Sequence, residues 1–381
     1  MLVDYVISID LEGSSGKEKA SREKSQIISS KYNGRIYSVS YTKTSSYIYR
    51  IWLFFYLELS YFLLSFSRIK KPDIIISRSV FCFGVYLSGK IHSIPVVREV
   101  HGVIEDEAGQ IFKSKLLISI IKLYSYYLNF FIRNSDGIIF NHPTLMKYYI
   151  NKLNINIDKT PCMYQYNGCN TIDFYHQDRD YAIRELGLDH SKKYLIFLGS
   201  VSKWHGVELL LEVFKKINIV NEEVILLIVG SANVKYLDTL IEDCHGIKNI
   251  IFVGSVDIET AKTYLNASSI SMIPVADNRI SPGSPLKLFD SISCGIPVVV
   301  QENTLGYSDI VEDYGIGISC DFRNTDKAAN TILNFMNTNC EKFRIHNIEI
   351  AKGELSWDSA IYNWIQFCKK EVLVNNTNKV N

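Results

Sequence analysis

The chain has 381 residues, 47% of them hydrophobic and 21% charged, so we expect a folded protein with two domains of ordinary size rather than a disordered one. Its 41 basic and 40 acidic side chains leave a net charge of +1, which argues against a general nucleic-acid-binding protein. The 8 cysteines are scattered, and the first five residues do not begin a signal peptide, so the sequence predicts reduced thiols in a cytoplasmic protein.

The first predicted element is a short apolar strand over residues 5–10, followed by a glycine-containing loop over 11–17 and a polar helix. A strand, a glycine loop and a helix in this order are typical of the opening of a Rossmann-type unit. The loop is not a P-loop, because leucine stands where the first glycine is required and Glu18 stands where Ser or Thr should bind magnesium. A simple tight turn remains an alternative explanation for Gly13 and Gly16.

Two long apolar runs, 49–66 and 116–131, form the next feature of the sequence. A membrane-spanning helix needs about 20 apolar residues with few charges. These runs are interrupted by Glu58 and Lys122 and flanked by further basic residues, so neither predicts a clean span. Two interpretations stay open: buried helices of an α/β domain, or helices that rest part of their surface on a bilayer with basic flanks against anionic lipid. We adopt the second interpretation as a hypothesis.

Buried strands are predicted over residues 72–78 and 94–102, and the second strand ends in a His-Gly turn at His101. Parallel α/β folds bind ligands at the carboxyl ends of their strands, which makes His101 a candidate site residue. An isolated histidine at a strand end is nevertheless more often structural. A further strand over 135–141 and a helix over 144–153 lead to the Asn-Gly turn signal at Asn167.

After a polar linker, the chain repeats an apolar strand and a glycine turn three times, over 194–200, 223–231 and 247–255. The first turn leads through Lys-Trp-His-Gly at 203–206 into an amphipathic helix. The linker contains an Asp-Arg-Asp sequence at 178–180 with the spacing of a metal-binding Asp-x-Asp. Because this sequence does not follow a strand, we expect solvated charge there and not a metal site.

Residues 270–301 are predicted to form a strand, a loop rich in Gly, Pro and Ser, a helix over 286–294 and a second strand. Pro285 suits the first turn of this helix, and Gly295 is a natural left-handed cap at its end. The N–H groups and the dipole at the amino end of a helix favour an anion such as phosphate. Lys287 lies in the first turn and Asp290 one turn later on the same face. A lysine for phosphate and a carboxylate for sugar hydroxyls predict a nucleotide-sugar site.

The string Ser-Pro-Leu-Lys-Leu-Phe-Asp at 284–290, with small residues, glycine and Pro-Val-Val after it, resembles the nucleotide-sugar signature of the family-4 glycosyltransferases. The Pro-Val-Val-x-Glu-x-His string at 95–101 resembles a second motif of that family. The resemblance implies an α/β protein of the GT-B fold, in which two Rossmann-like domains with parallel sheets face each other across a cleft. It implies an acceptor-side domain over 1–175, a nucleotide-sugar-binding domain over 176–355, a helix over 356–370 that crosses back to the first domain, and a flexible tail over 371–381.

The same resemblance implies roles for single residues. His101 would be the catalytic residue and contact the transferred sugar or the donor phosphate, and the loop with Gly13 and Gly16 would face the acceptor. Asp290 would bind the ribose of the nucleotide in place of the usual glutamate. The implied donor-binding residues are Gly199, Ser200, Lys203, His205, Gly254, Ser255, Ser284, Leu286, Lys287 and Asp290.

The sequence departs from the common family pattern at three positions. Arginine and lysine are usual where Ser200 and His205 stand, and Pro282 occupies the position of a glutamate that contacts the donor sugar. We therefore expect diphosphate binding to depend more on Lys203, Lys287 and helix-end N–H groups. The identity of the donor sugar stays open.

The resemblance implies a retaining glycosyltransferase of hexosyltransferase type that uses a nucleotide-diphosphate sugar as donor and needs no cofactor and no metal. With the apolar runs, it predicts a lipid-linked or soluble glycan acceptor in bacterial O-antigen or capsule assembly. It also predicts a cytoplasmic protein that contacts the inner face of the membrane and has no nucleic-acid partner. Two alternatives remain. One is a nucleotide-sugar epimerase of the same fold, and the other is a non-catalytic partner subunit that binds a nucleotide sugar.

Overall fold

The computed structural model describes residues 11–12, 39–40, 55–56, 58–59, 62–63, 73–77, 83–105, 115–244, 247–276, 285–338 and 340–375. It divides the chain into two compact units, Met1–Val97 and Arg98–Asn381. The domain boundary that the resemblance implies, after residue 175, lies elsewhere and stays a prediction.

The first unit contains a short parallel pair of strands near its beginning. The elements described here are β1 (Leu11–Glu12), β2 (Val39–Ser40), β3 (Ile75–Ser77) and α1 (Phe83–His92). Leu11 pairs with Val39 and Glu12 with Ser40, so the strand includes two residues that the sequence placed in the loop. Gly13 and Gly16 lie outside the described residues, and their role therefore stays a prediction.

Glu58, which interrupts the first apolar run, has a structural role in this unit. Its side chain is 5% exposed and accepts hydrogen bonds from the backbone N–H groups of Phe83 (3.3 Å) and Gly84 (2.8 Å). These N–H groups begin α1 and have no partner within the helix. A carboxylate at a helix amino end is favoured by the helix dipole, so Glu58 can be buried there with its charge.

The second unit contains a small sheet. The unit boundary falls within β4 (Val96–Val100), which is followed by α2 (Lys115–Arg133), β5 (Gly137–Phe140), α3 (Pro143–Leu153) and β6 (Cys162–Tyr164). The strands β4, β5 and β6 lie in that order, and β5 and β6 run parallel. Every residue of β4 and β5 is buried, as expected for strands covered on both faces. Among the described helices, α2 included, none is both long and apolar enough to cross a membrane.

Within the described residues, the larger sheet has six parallel strands. They are β7 (Lys193–Leu198), β8 (Val224–Val229), β9 (Ile250–Gly254), β10 (Ile270–Ile273), β11 (Val298–Gln301) and β12 (Gly317–Cys320). Their spatial order is β12-β11-β10-β7-β8-β9, and every neighbouring pair is parallel. The predicted α/β fold with parallel sheets is confirmed.

Helices cover both faces of the larger sheet. They are α4 (Arg179–Glu185), α5 (Val207–Val220), α6 (Val234–Asp243), α7 (Ile258–Ala267), α8 (Leu286–Ser293), α9 (Ser308–Tyr314), α10 (Thr325–Met336), α11 (Cys340–Lys352) and α12 (Trp357–Phe367). Leu195 and Leu226 pack with α5 and α10, whereas their neighbours Tyr194 and Leu227 pack with α4 and α7. This division follows from the strand geometry, because successive side chains point to opposite faces.

The strand order reverses beside β7. Its neighbour on one side is β8, the next strand in the chain, and on the other side it is β10. The connections that follow β7 and β10 therefore leave the sheet in opposite directions and open a crevice at the carboxyl ends of these strands. Open α/β sheets bind their ligands in such a crevice.

The carboxyl-terminal helix α12 is joined to the segment that follows β6. Ser356 caps the helix by accepting the N–H of Ser359 at 3.0 Å, and a turn of π-helix (Cys368–Leu373) follows α12. The N–H of Cys169 donates to the carbonyl of Leu355 at 2.6 Å. The side chain of Asn363 donates to Gln165 at 2.9 Å. The end of the chain thus contacts residues that lie before the larger sheet.

Candidate functional site

Three glycine turns lie side by side at the carboxyl ends of β7, β8 and β9. Gly199 and Gly230 have φ values of +127° and +149°, a region that favours glycine. The N–H of Gly230 donates to the carbonyl of Gly254 at 2.8 Å. A Cβ atom added to Gly230 would lie 1.8 Å from the carbonyl oxygen of Gly199. Only glycine fits there, and the backbones of the predicted donor turns can therefore approach closely.

Lys287 reaches this group of turns from the first turn of α8. A Cβ atom added to Gly199 would lie 3.3 Å from Cε and 3.4 Å from Nζ of Lys287. The same Nζ lies 4.3 Å from the ring centroid of Phe197, in a cation–π contact. The structure thus brings together Gly199 and Lys287, two predicted donor-binding residues that are far apart in the sequence, at the point where the strand order reverses.

The helix α8 begins at Leu286, where the sequence predicted it, and ends at Ser293, one residue before the predicted end. Pro285 is the residue before the helix, with φ −75° and ψ 110°, and Leu286 is its first residue. Leu286 is 57% exposed, whereas Leu288 and Phe289 are buried in the core. The amino end of α8 consequently offers backbone N–H groups on its exposed side. Ser284 and Pro282 lie outside the described residues.

Asp290 lies one turn after Lys287 and is half-buried. Burial raises the pKa of the Cys169 thiol to about 12, a hydrogen bond with Ser293 opposes this rise, and the charge of Asp290 adds to it. Asp290 is partly open to solvent, whereas Cys169 is buried.

The turn after β7 is organised by His205. Its Nδ1 lies 2.5 Å from the carbonyl oxygen of Ser200 and 3.1 Å from Oγ of Ser202. Since a carbonyl only accepts hydrogen bonds, Nδ1 carries a proton, and in the neutral ring Nε2 holds the lone pair. Lys203, in the same turn, is exposed. The His205 ring therefore contacts the backbone carbonyl of Ser200 and not its side chain.

Ala276, which follows β10, is held in place by residues that the sequence did not indicate. The N–H of Ala276 donates to the carbonyl of Trp204 at 3.3 Å, and its carbonyl accepts from Arg323 Nη2 at 2.9 Å. Asp321 receives a hydrogen bond from Gln301 at 3.0 Å and lies 3.7 Å from Arg323. A signal for this network was available, because Gln301 and Asp321 end or follow adjacent strands of the predicted sheet.

Gly254 and Ser255 form the outermost of the predicted donor turns. Gly254 has φ +82°, and a Cβ atom added there would meet nothing within 4 Å. The turn therefore faces open space, and Gly254 contacts the other turns through its carbonyl, which accepts from Gly230.

His101 follows β4 and is positioned by three neighbours. Its Nε2 lies 2.8 Å from Oε1 of Glu99, whose side chain is 6% exposed against 29% for His101. The carbonyl of His101 accepts from the side chain of Asn141 at 2.8 Å, and the hydroxyl of Tyr149 donates to the carbonyl of Gly102 at 3.1 Å. The backbone of His101 is thus held, and the partly accessible imidazole lies beside the Glu99 carboxylate.

A second histidine, His142, was not predicted as a site residue. It is 1% exposed, and its Nε2 lies 2.6 Å from Oδ2 of Asp309 in α9. Its Nδ1 accepts the N–H of Thr144 at 3.1 Å, so Nε2 carries the proton and donates to the carboxylate. Burial would raise the pKa of Asp309, but the hydrogen bonds from His142 and from backbone N–H groups outweigh burial and lower it. This pair joins the residues that follow β5 to α9, a helix that packs on the larger sheet.

The Asp-Arg-Asp sequence of the linker has no metal-site geometry. Asp178 precedes α4 and accepts the N–H of Tyr181 at 2.8 Å, as a helix cap does. Asp180 lies on the surface, 3.6 Å from His190. Asp178 thus caps a helix and Asp180 is exposed to solvent.

Comparison with known proteins gives a match for the second half of the chain. Residues 178–352 match the family model described as glycosyl transferases group 1. The matched segment contains the three glycine turns, Lys203, His205 and the whole of α8. A sequence comparison with curated proteins gives no significant match.

Solved structures extend the likeness to nearly the whole chain, at the level of the fold. Sucrose-phosphate synthase from Thermosynechococcus elongatus is 15% identical with a TM-score of 0.68, covering 96% of this chain and 98% of that chain. HepE from Anabaena, in complex with UDP and glucose, is 13% identical with a TM-score of 0.66, covering 96% and 99%. WaaG, a glycosyltransferase involved in lipopolysaccharide biosynthesis, is 12% identical with a TM-score of 0.65, covering 94% and 98%. The chain therefore has the GT-B fold.

Proposed function

We propose that the chain is a retaining glycosyltransferase that transfers a sugar from a nucleoside-diphosphate sugar to a glycan acceptor without a metal ion. The observation that carries this proposal is the position of Lys287 against Gly199, at the amino end of α8 and at the reversal of strand order. A cation, a close backbone turn and helix N–H groups together suit a diphosphate. The match to the group 1 glycosyl transferase model and the UDP and UDP-glucose complexes of HepE support a nucleotide-sugar donor.

The proposed chemistry depends on charge that develops on the leaving diphosphate. Lys287 and the N–H groups at the start of α8 would stabilise that charge from fixed positions. One preorganised donor of this kind lowers a barrier by about 3 kcal/mol. Asp290 would accept hydrogen bonds from the ribose hydroxyls of the nucleotide, since its carboxylate lies on the same side of α8 one turn later.

His101 is the proposed catalytic residue on the acceptor side. It would hydrogen-bond the transferred sugar or the donor phosphate with the ring nitrogen that does not face Glu99. The Glu99 carboxylate, 2.8 Å from Nε2, would keep the ring in one orientation. We name no catalytic nucleophile.

The proposed acceptor is a lipid-linked glycan of a bacterial surface polysaccharide, such as O-antigen or capsule, and the proposed location is the inner face of the cytoplasmic membrane. The lipopolysaccharide role of WaaG, which shares the fold, supports this choice. The exposed apolar side chains of α2 support it independently of any relative.

The proposal is tested by titrating the purified chain with UDP, GDP and their sugars, and then adding lipid-linked acceptors. Binding of one donor should raise the stability by about 2.7 kcal/mol at a hundredfold excess over Kd, which a thermal shift detects. Release of free nucleotide only when acceptor is added would support a transferase.

Two other outcomes of the same experiment would replace the proposal. Conversion of the donor sugar without acceptor would indicate an epimerase. Donor binding without any turnover would indicate a non-catalytic subunit, an alternative that Ser200 and Pro282 keep open because they stand where the family has arginine and glutamate.

A further inference from the structure

Helix α2 exposes a row of large apolar side chains. Ile120 is 54% exposed, Leu123 72%, Tyr126 75% and Phe130 54%. Their spacing of three and four residues places them along one side of the helix. We call these four residues the α2 apolar face.

The other side of α2 is packed into the protein. Ser125, Phe131 and Ile132 are buried, and the side chain of Asn129 donates to Ser125 at 3.2 Å. The helix is therefore fixed to the protein by one side while the α2 apolar face points away from the core. At about 1.5 Å per residue its 19 residues extend about 28 Å.

Basic residues border the α2 apolar face. Lys122 and Arg133 are exposed, and their separation of eleven residues, about three helical turns, places them in one row beside Tyr126. No acidic residue occurs anywhere in Lys115–Arg133. The surface of α2 thus combines apolar and aromatic groups with positive charge alone.

We infer that the α2 apolar face lies in the surface of an anionic lipid bilayer, with the helix parallel to the membrane plane. Aromatic rings suit the headgroup region, and basic side chains beside an apolar stripe are typical of helices that lie in this interface. The inference deepens the proposed function, on which it rests for the lipid-linked acceptor.

A second copy of the chain is a less suitable occupant. In a symmetric pair built on this face, the basic residues of both copies would be brought to one interface, because both partners use the same patch. An anionic surface removes this repulsion. Each basic side chain near such a surface strengthens binding about fivefold.

The test is co-sedimentation of the purified full chain with vesicles of phosphatidylcholine alone and of phosphatidylcholine with phosphatidylglycerol. We expect binding to the anionic vesicles that weakens as salt is added. The double variant Leu123→Gln/Tyr126→Gln should bind them at least tenfold more weakly, because it removes apolar groups from the interface. The double variant Lys122→Gln/Arg133→Gln should lose about fivefold for each charge, and only on the anionic vesicles.

The matched control is Ile219→Gln, which changes an 81% exposed apolar side chain on α5. A loss equal to that of the α2 variants would overturn the inference. So would an absence of vesicle binding by the unchanged chain, or a dimer in solution that Leu123→Gln/Tyr126→Gln dissociates while vesicles have no effect.

Donor titration separates this inference from the proposed function. A chain that binds a nucleotide sugar but ignores anionic vesicles would overturn only the membrane contact. A chain that binds vesicles through α2 but no nucleotide sugar would overturn the proposed function, while the contact itself would be supported.

Discussion

Lys287 and Asp290 lie one turn apart on α8, but their surroundings differ. The ammonium group lies against Phe197 and Gly199, under the turn that follows β7. The charge of the Asp290 carboxylate contributes to raising the pKa of the Cys169 thiol. The two charged groups thus have different neighbours. This arrangement suits a donor whose phosphate and ribose are separate groups.

We predict that Lys287→Ala and Asp290→Ala each weaken donor binding roughly ten- to hundredfold, the range for losing a hydrogen bond to a charged group. Isothermal titration with the donor identified by the screen measures the change. Asp178→Ala is the matched control, since it also removes a carboxylate. It should cost about 1 kcal/mol of stability through the lost helix cap but leave donor affinity intact. Equal losses from Asp290→Ala and Asp178→Ala would contradict the site.

We predict that Asp309→Asn destabilises the fold by about 1–3 kcal/mol near neutral pH, because one amide oxygen cannot accept the bonds that two carboxylate oxygens accept from His142, Gly306 and Ile310. Urea unfolding of both proteins measures the difference.

The same pair predicts a pH dependence. The pKa of Asp309 is lowered on folding, so its contribution is present above the unfolded value of about 3.9 and is lost as pH falls through the folded value. The stability difference between the unchanged chain and Asp309→Asn should therefore shrink below about pH 4. A difference that stayed constant under acid would show that the carboxylate charge is not involved.

At the scale of secondary-structure elements, the turns at the ends of the strands form the backbone of the candidate site. β7, β8 and β9 each end in a glycine turn, and the turns contact each other through backbone atoms. The sequence predicted each turn from its apolar strand and glycine. It could not reveal that Gly230 lies against the carbonyl of Gly199, since that contact depends on strand register.

We predict that Gly230→Ala destabilises the larger sheet by more than about 2 kcal/mol and also weakens donor binding, because the new Cβ would displace the Gly199 turn. Gly254→Ala is the matched control for stability alone, since Gly254 is itself a predicted donor-binding residue, with positive φ but open space around it. It should cost about 1 kcal/mol from backbone strain alone. Denaturant unfolding and donor titration measure both effects, and similar costs for the two variants would mean that the close approach is unimportant.

Sequence reasoning found the elements that periodicity and short motifs specify. The strand, loop and helix around Lys287 were predicted because apolar runs, Pro285 and Gly295 mark their limits locally. His142, Asp309 and Arg323 were missed, because their partners lie far away in the sequence and only the folded chain brings them together. Asp309 in particular begins an ordinary helix, and nothing in its neighbourhood indicates a buried histidine.

At the scale of the whole molecule, the linker before the larger sheet is fixed to that sheet's helices. The side chain of Asn266 accepts the N–H of Gln177 at 2.8 Å and donates to the carbonyl of Tyr175 at 3.0 Å. The buried Lys262 places its Nζ 3.8 Å from the ring centroid of Tyr175. A segment that the sequence presented as a polar connection is thus part of the folded structure.

We predict that Asn266→Ala destabilises the chain by about 1–2 kcal/mol, because it removes the side chain that bonds two partly buried backbone groups of the linker. Amide hydrogen exchange at Tyr175 and Gln177 should accelerate, which mass spectrometry of the exchanged chain detects. Asp180→Ala, at a 64% exposed carboxylate in the same region, serves as control and should change neither quantity. Unchanged exchange at Tyr175 and Gln177 in Asn266→Ala would show that other contacts hold the linker.

The contact between Cys169 and the residues before α12 has a consequence for biosynthesis. Gly168 and Cys169 lie against Leu355 and Trp357, so close that a Cβ atom on Gly168 would be 2.5 Å from the Trp357 nitrogen. A ribosome makes Gly168 long before it makes Trp357. During translation this turn therefore cannot form its contacts with Leu355 and Trp357 until almost the entire chain has emerged, and until then these residues do not cover its thiol. A chain truncated before residue 355 would never form these contacts, and we expect quality-control proteases to degrade it.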